Sequence, residues 1–217
     1  MILAIDGFSE ADNIKEVSHL GVQWLGLDFV SDSPRKVHQM STLSGILPDS
    51  PLLGAVDLAS GAALVGVFRD EMPQTIVTRI YNFHLSVVRL DGAESPVMID
   101  NLRRTVDPDI YPGLQIVKTL RIRKPEDLLS AQCYAGHADY LLLDMTDAQM
   151  AWLDSFDSPL PFLLRGCLAD DAAQQQLAYR HLQLVGFCFG EEMERSLGLI
   201  DVEKVRRLVA LCGSVEG

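Results

Sequence analysis

Short apolar runs recur along the chain, and a stretch with helical periodicity follows each of them. The runs cover residues 2–5, 23–27, 64–68, 85–90, 115–119, 140–143, 161–164 and 184–189. They are nearly continuous instead of alternating with polar residues, as expected for parallel strands that are buried on both faces. Eight such repeats predict an α/β protein, a single (β/α)8 (TIM) barrel over residues 1–217, with a doubly wound open sheet as the alternative.

Helix signals lie between the predicted strands. Ser9 is predicted to cap the first helix and Gly21 to end it. Ser95 followed by Pro96 fits a capping residue with proline in the first turn. Other helices are predicted to begin at Pro73, at Lys124-Pro125, near residue 169 and at residue 201. Residues 31–63 contain several proline and glycine residues, so an irregular connection is predicted there.

The composition limits the classes of partner. The net charge is -12, and so acidic a surface repels nucleic acid and anionic lipid. The four cysteines are scattered without a CxxC pair, which suggests neither a zinc site nor a disulfide framework. No apolar stretch approaches the ~18 residues that a membrane span needs, and the N-terminus lacks a basic leader. These features predict a cytoplasmic protein that binds neither nucleic acid nor membranes.

Carboxylates follow two of the predicted strands directly. Asp6 ends the first run, just before Gly7, and Asp144 follows three leucines. In a (β/α)8 barrel the chemistry gathers at the carboxyl ends of the strands, so both are candidate catalytic groups. The alternatives are a helix cap or turn residue for Asp6, and for Asp144 an ion pair with Lys118 or Arg121.

Several segments, taken in order, resemble the phosphoribosylanthranilate isomerase family of tryptophan biosynthesis over almost the whole chain. They are AIDGF, GLDFVSDSPRKV, VGVF, VRLDGAES, VKTLRIRKPEDL and DYLLLD. The resemblance implies an Amadori rearrangement, an aldose–ketose isomerisation with a general acid and a general base and without cofactor or metal. It implies that Asp144 is the acid, that Asp6 replaces the family's cysteine base, and that Arg35 binds an anionic group of the substrate.

The predicted mouth of the barrel also differs from the family pattern. The loops after strands six, seven and eight have lost most of the family's phosphate-binding glycines, and Glu191 and Glu192 stand in the last of them. The residues predicted to bind substrate are Gly7, Arg35, Arg89, Asp91, Arg121, Gly166 and Gly190. The acidic residues at the strand ends could bind a divalent cation, but pairs between arginine and aspartate are the preferred interpretation.

Two functions remain open at this point. The first is an isomerase that acts on an anionic sugar phosphate. The second is a paralogue that has lost the phosphate site and the reaction, and that binds another small anionic ligand or a protein partner. In either case a monomer or a homodimer is expected.

Overall fold

The computed structural model describes residues 1–37, 58, 61–165 and 181–213, with only the backbone at 212 and 213. Its strands are β1 (Ile2–Asp6), β2 (Trp24–Asp28), β3 (Ala63–Phe68), β4 (Val87–Leu90), β5 (Gln115–Arg121), β6 (Tyr140–Asp144), β7 (Phe162–Arg165) and β8 (Leu184–Phe189). Each strand pairs in parallel with the next, and β8 pairs back onto β1. The predicted barrel is therefore confirmed, and the β8–β1 pairing excludes the open sheet.

Alternation along the strands separates two buried clusters. The barrel interior takes one residue from each strand: Ala4, Trp24, Val65, Val87, Val117, Leu142, Leu163 and Cys188. Residues two positions apart on a strand share a face. The same inward face therefore continues, at the carboxyl ends of β1, β4, β6 and β7, to Asp6, Arg89, Asp144 and Arg165. The larger cluster lies outside the barrel wall, beneath the helices.

The helices agree with the sequence prediction in part. Those described are α1 (Ala11–Ser18), α2 (Pro73–Phe83), α3 (Pro96–Val106) and α4 (Val202–Gly213). Ser95 caps α3 as predicted, since its side chain accepts a hydrogen bond from the Met98 amide at 3.2 Å. The segment after Lys124 is a 3-10 helix, Pro125–Tyr134, where an ordinary helix was predicted. The helix predicted from residue 169, and most of the irregular region 31–63, fall outside the described residues.

The prediction that Ser9 caps α1 is wrong. The capping position is Glu10, whose side chain makes no capping hydrogen bond. The Ser9 hydroxyl instead donates to the Gly198 carbonyl at 2.8 Å. Gly198 belongs to the turn of a short hairpin after β8, formed by β9 (Glu194–Ser196) and β10 (Leu199–Ile200). The Ser9 hydroxyl therefore bonds to Gly198, which is distant in the sequence, instead of capping α1.

Two further 3-10 segments lie at the carboxyl end of the barrel, Asp147–Ser155 after β6 and Glu191–Met193 after β8. Within the described part of the chain, no helix has the length and apolar character needed to cross a membrane.

Candidate active site

A cavity of about 460 Å³ opens at the carboxyl end of the barrel. This volume lies in the range of small-molecule sites. Six of the residues predicted for the site line it: Asp6, Gly7, Arg35, Arg89, Asp91 and Gly190. Arg121 lines a neighbouring cavity instead, and Gly166 lies outside the described residues. The carboxyl end of the barrel therefore brings six of the nine predicted site residues into one place, and Asp144 is not among the residues that line this cavity.

Two arginines surround the Asp6 carboxylate. Arg89 reaches both of its oxygens, with Nη1 2.9 Å from Oδ1 and Nη2 2.8 Å from Oδ2. Arg165 donates from Nη2 to Oδ2 at 2.9 Å, and the Cys188 thiol lies 3.3 Å from the same oxygen. Gly26 on β2 makes room for this carboxylate, because a Cβ there would lie 2.2 Å from Oδ1. Asp6 therefore sits in a fixed, charged environment.

Arg89 joins Asp6 to a second carboxylate. Its Nε donates to Asp91 at 3.1 Å, and the Thr119 hydroxyl donates to the same Asp91 oxygen. Only 6% of the Arg89 side chain is exposed, so its charge depends on these partners for compensation. The preferred interpretation of paired arginines and aspartates is thus seen at Asp6 and Asp91. Across the described residues, no cluster of histidine, cysteine and acidic side chains is suited to a metal ion.

The arginines set the protonation of the buried acids. Burial alone would raise the pKa of the Asp6 carboxyl, but the charges of Arg89 and Arg165 together hold that pKa below its ordinary value. The pKa of Asp91 is lowered in the same way, again against the effect of burial. Burial raises the pKa of the Cys188 thiol to about 12. Cys188 therefore stays a neutral donor, and Asp6 stays ionised.

Replacing Arg165 with methionine is expected to raise the pKa of Asp6, because one of its two compensating charges is lost. The measurement is a pH titration of the Asp6 carboxyl carbon by NMR. Ionised Asp6 stabilises the fold at pH values above its ordinary pKa of 3.8, and that contribution disappears as the pH falls through the lower pKa of the folded state. Because its two pKa values lie closer together in the variant, Asp6 should contribute less stability there, and the loss on acidification should end at a higher pH than in the wild type.

The matched control for this titration is Arg206→Met, which removes an exposed arginine from α4. It should leave the titration of Asp6 unchanged. An Asp6 pKa that is the same in the Arg165 variant and the wild type would contradict the assigned ion pair.

Arg35 is held by a residue that the sequence did not single out. Its Nη2 donates to Glu194 at 2.9 Å and its Nε to the other oxygen of the same carboxylate, a bidentate pair. The remaining nitrogen, Nη1, lies 3.3 Å from the exposed Glu191. Gly7 passes beside this pair with φ +98, and a Cβ there would lie 2.9 Å from the Glu194 carboxylate. All three nitrogens of Arg35 thus meet a carboxylate, and Nη1 alone has a partner that is exposed.

The β9–β10 hairpin positions Glu194. Asn13 of α1 makes two hydrogen bonds to the Ile200 backbone, at 3.0 and 2.8 Å. Lys204 of α4 donates to the carbonyls of Glu192 and Glu194, each at 2.9 Å. Contacts from α1 and α4 therefore fix the backbone around the charged run EEMER, residues 191–195.

Asp144 lies at the edge of the mouth. Its carboxylate is 3.9 Å from Nε of Arg121, and the two side chains are 40% and 46% exposed. An ion pair of Asp144 with Lys118 or Arg121 was the alternative to a catalytic role, and the partner in the structure is Arg121. Lys118 is occupied elsewhere, by the carbonyls of Leu90 and Gly92 and by the Glu94 carboxylate. Asp144 is therefore accessible to solvent and only loosely paired.

The closed parallel barrel, with acids, arginines and a cavity at the carboxyl ends of its strands, defines the class of (β/α)8 proteins that carry a functional site at that edge. A protein named N-(5'-phosphoribosyl)anthranilate isomerase from Synechococcus sp. (strain JA-2-3B'a(2-13)) is 32% identical over 99% of this chain and 91% of its own length. A protein of the same name from Microcystis aeruginosa is 32% identical over 96% of both chains. The chain belongs to the N-(5'-phosphoribosyl)anthranilate isomerase family. No protein-family model matches it.

Solved structures agree on the fold. Phosphoribosyl anthranilate isomerase from Thermus thermophilus superposes with a TM-score of 0.71 at 23% identity, covering 99% of this chain and all of that one. Another isomerase structure, in complex with reduced 1-(o-carboxyphenylamino)-1-deoxyribulose 5-phosphate, gives a TM-score of 0.73 at 18% identity over 99% and 100% of the two chains.

Proposed function

We propose that this protein is an aldose–ketose isomerase that converts N-(5-phosphoribosyl)anthranilate by an Amadori rearrangement. The observation that carries the proposal is the position of Asp6 and Asp144. Asp6 is the last residue of β1 and Asp144 is the last residue of β6. Each occupies a position that faces the barrel interior at the carboxyl edge. The reaction needs an acid and a base on one substrate, and this edge supplies two carboxylates in different surroundings.

Asp144 acts as the general acid in this proposal. Because it is accessible and loosely paired with Arg121, it can exchange protons with solvent between turnovers. It donates a proton to the ring oxygen of the sugar, and the ring opens to a Schiff base.

Asp6 then takes the proton from C2, and the resulting enolamine rearranges to the ketone. A carboxylate whose pKa is lowered by two arginines is a weak base, so this step is expected to be slow. Arg89 and Arg165 lower the basicity of Asp6 while they hold its carboxylate in position. Nη1 of Arg35 is proposed to bind the anthranilate carboxylate in place of the exposed Glu191.

A second function is favoured by the same contacts. Donors already occupy both oxygens of the Asp6 carboxylate. The backbone N–H of Gly190, which could face a phosphate group, donates to the Glu192 carboxylate at 3.0 Å. A family member with these features would bind a small anionic ligand without isomerising it.

Turnover of freshly prepared phosphoribosylanthranilate, followed by the loss of anthranilate fluorescence, tests the proposal. We expect slow turnover by the wild type and a further reduction of about 10²-fold or more in Asp6→Asn, because the amide cannot accept the C2 proton. Asp12→Asn, on the exposed side of α1, is the control and should keep wild-type turnover. Thermal unfolding of each variant separates loss of the base from loss of the fold. Folded wild type without turnover would favour the second function.

A further inference from the structure

Asp28 ends β2 at the mouth of the barrel and lines the same cavity as Asp6 and Arg35. It follows Trp24 and Gly26 at intervals of two residues, and Trp24 belongs to the inner cluster, so Asp28 also faces inward. Gly26 pairs with Asp6 in the register between β1 and β2. Asp28 therefore lies roughly 7 Å further along the barrel wall than Asp6, toward the open end of the cavity.

Neutral donors hold the Asp28 carboxylate within the described part of the chain. Its Oδ1 accepts a hydrogen bond from the Val30 amide at 2.9 Å, and its Oδ2 accepts one from the Ser33 hydroxyl at 2.5 Å. The Asp6 carboxylate differs, because two arginines donate to it. A carboxylate accepts about four hydrogen bonds, so Asp28 keeps both negative charge and accepting capacity for a ligand.

A serine links Asp28 to the arginine that is proposed to bind the anthranilate carboxylate. The Ser33 hydroxyl, which donates to Asp28, accepts a hydrogen bond from the Arg35 backbone amide at 3.2 Å. The Val37 amide donates to the Asp28 carbonyl at 2.7 Å and closes the same loop onto β2. Asp28 therefore lies on the barrel wall between Asp6 and the loop that carries Arg35.

The proposed reaction creates a positive charge between the groups that Arg35 and Asp6 contact. When Asp144 protonates the ring oxygen, the bond from that oxygen to C1 breaks, and the nitrogen lone pair forms a C1=N bond. The nitrogen keeps its hydrogen and becomes cationic. When Asp6 takes the C2 proton, the electrons of the C–H bond form a C1=C2 bond, and those of the C1=N bond return to the nitrogen. The cation exists only between these two steps.

We propose that Asp28 is a further catalytic residue, whose carboxylate accepts a hydrogen bond from this cationic N–H and stabilises the ring-opened intermediate. A fixed negative charge beside the developing positive charge lowers the barrier to ring opening, and it acts much less on the neutral nitrogen of the substrate. The inference rests on the proposed function, and it adds a third carboxylate to the acid and the base.

Turnover of phosphoribosylanthranilate tests this role in the reaction. Asp28→Asn is expected to lower kcat about 10²-fold and to leave KM within about threefold, because the substrate nitrogen is neutral until the ring opens. Asparagine can keep both local contacts, since the Ser33 hydroxyl can turn and accept from its amide. Asp12→Asn, on the exposed side of α1, is the matched control and should keep the wild-type kcat. A wild-type kcat in Asp28→Asn would overturn the inference and leave the isomerase proposal standing.

Two stable analogues test the charge preference without turnover. The first is the reduced product, in which a neutral arylamine nitrogen joins the carboxyphenyl group to ribitol phosphate. The second carries a benzylamine nitrogen there, which is protonated at neutral pH. In calorimetry, Asp28→Asn should weaken binding of the cationic analogue about tenfold and of the neutral analogue by less than about twofold. Asp12→Asn should change neither affinity.

The analogues also separate this inference from the isomerase proposal. Equal weakening of both analogues would give Asp28 a structural role only and overturn the inference. Selective weakening of the cationic analogue, without any turnover by the wild type, would support Asp28 as the partner of a cationic nitrogen and overturn the isomerase proposal. Failure of the folded wild type to bind either analogue would overturn both.

Discussion

Replacement of Asp144 by asparagine is expected to lower kcat for phosphoribosylanthranilate by about 10²- to 10⁴-fold, the usual contribution of a general acid. Asparagine keeps the size of the side chain but cannot donate a carboxyl proton to the ring oxygen. The loose 3.9 Å contact with Arg121 and the 40% exposure of Asp144 argue against a large effect on folding. KM is expected to stay within about threefold of the wild-type value, because the loss falls on the chemical step.

Stopped-flow fluorescence with excess enzyme measures the chemical step directly. Asp147→Asn is the matched control, because Asp147 lies three residues further along the chain, begins the 3-10 segment after β6 and is exposed. It should keep the wild-type rate. Equal turnover by wild type and Asp144→Asn would remove Asp144 from the mechanism and leave another group to open the ring.

The barrel was predictable because each of its strands is a short run of almost entirely apolar residues. A run such as ILAI or YLLL is apolar on both faces, and that pattern belongs to a parallel strand covered on both sides. Eight such runs leave few arrangements with short, right-handed connections. All eight strands appear where the pattern predicted them. The local signals for helix ends were less reliable, as Ser9 shows. A serine hydroxyl can cap the helix beside it or donate a hydrogen bond to a distant carbonyl.

The position of site residues was more predictable than their partners. Asp6 and Asp144 could be placed at strand ends from the pattern alone. The ion pairs could not, because they depend on the register between strands and on side-chain rotamers. Arg89 meets Asp6 across 83 residues of sequence, and Arg35 meets Glu194 across 159. A charged run such as EEMER gives no sign of which carboxylate will turn inward.

A buried ion pair that the sequence did not reveal lies beside the neighbouring cavity that Arg121 lines. Lys118 of β5 and Glu94, in the loop before α3, lie 2.9 Å apart with side chains 2% and 3% exposed. The Glu94 carboxylate also accepts hydrogen bonds from the Asp70 and Gly92 amides. It therefore joins the loops after β3 and β4 to β5, and the segment GAES has a structural role in this chain.

The substitution Glu94→Gln is expected to destabilise the protein by about 3–5 kcal/mol, the typical cost of removing one partner of a buried ion pair. Glutamine keeps the shape of the side chain but leaves the Lys118 charge without a carboxylate. Its amide nitrogen would also face backbone donors that now meet an acceptor oxygen. Urea unfolding measures the loss. Glu203→Gln on α4, where the side chain is 72% exposed, should change stability by less than about 0.5 kcal/mol.

A double-mutant cycle distinguishes the ion pair from simple packing. Lys118→Met together with Glu94→Gln should cost clearly less than the sum of the two single substitutions, because the double variant leaves no buried charge unpaired. Additive costs would mean that Glu94 acts through its backbone contacts to Asp70 and Gly92 alone. The position of the loops after β3 and β4 would then depend on those hydrogen bonds and not on Lys118.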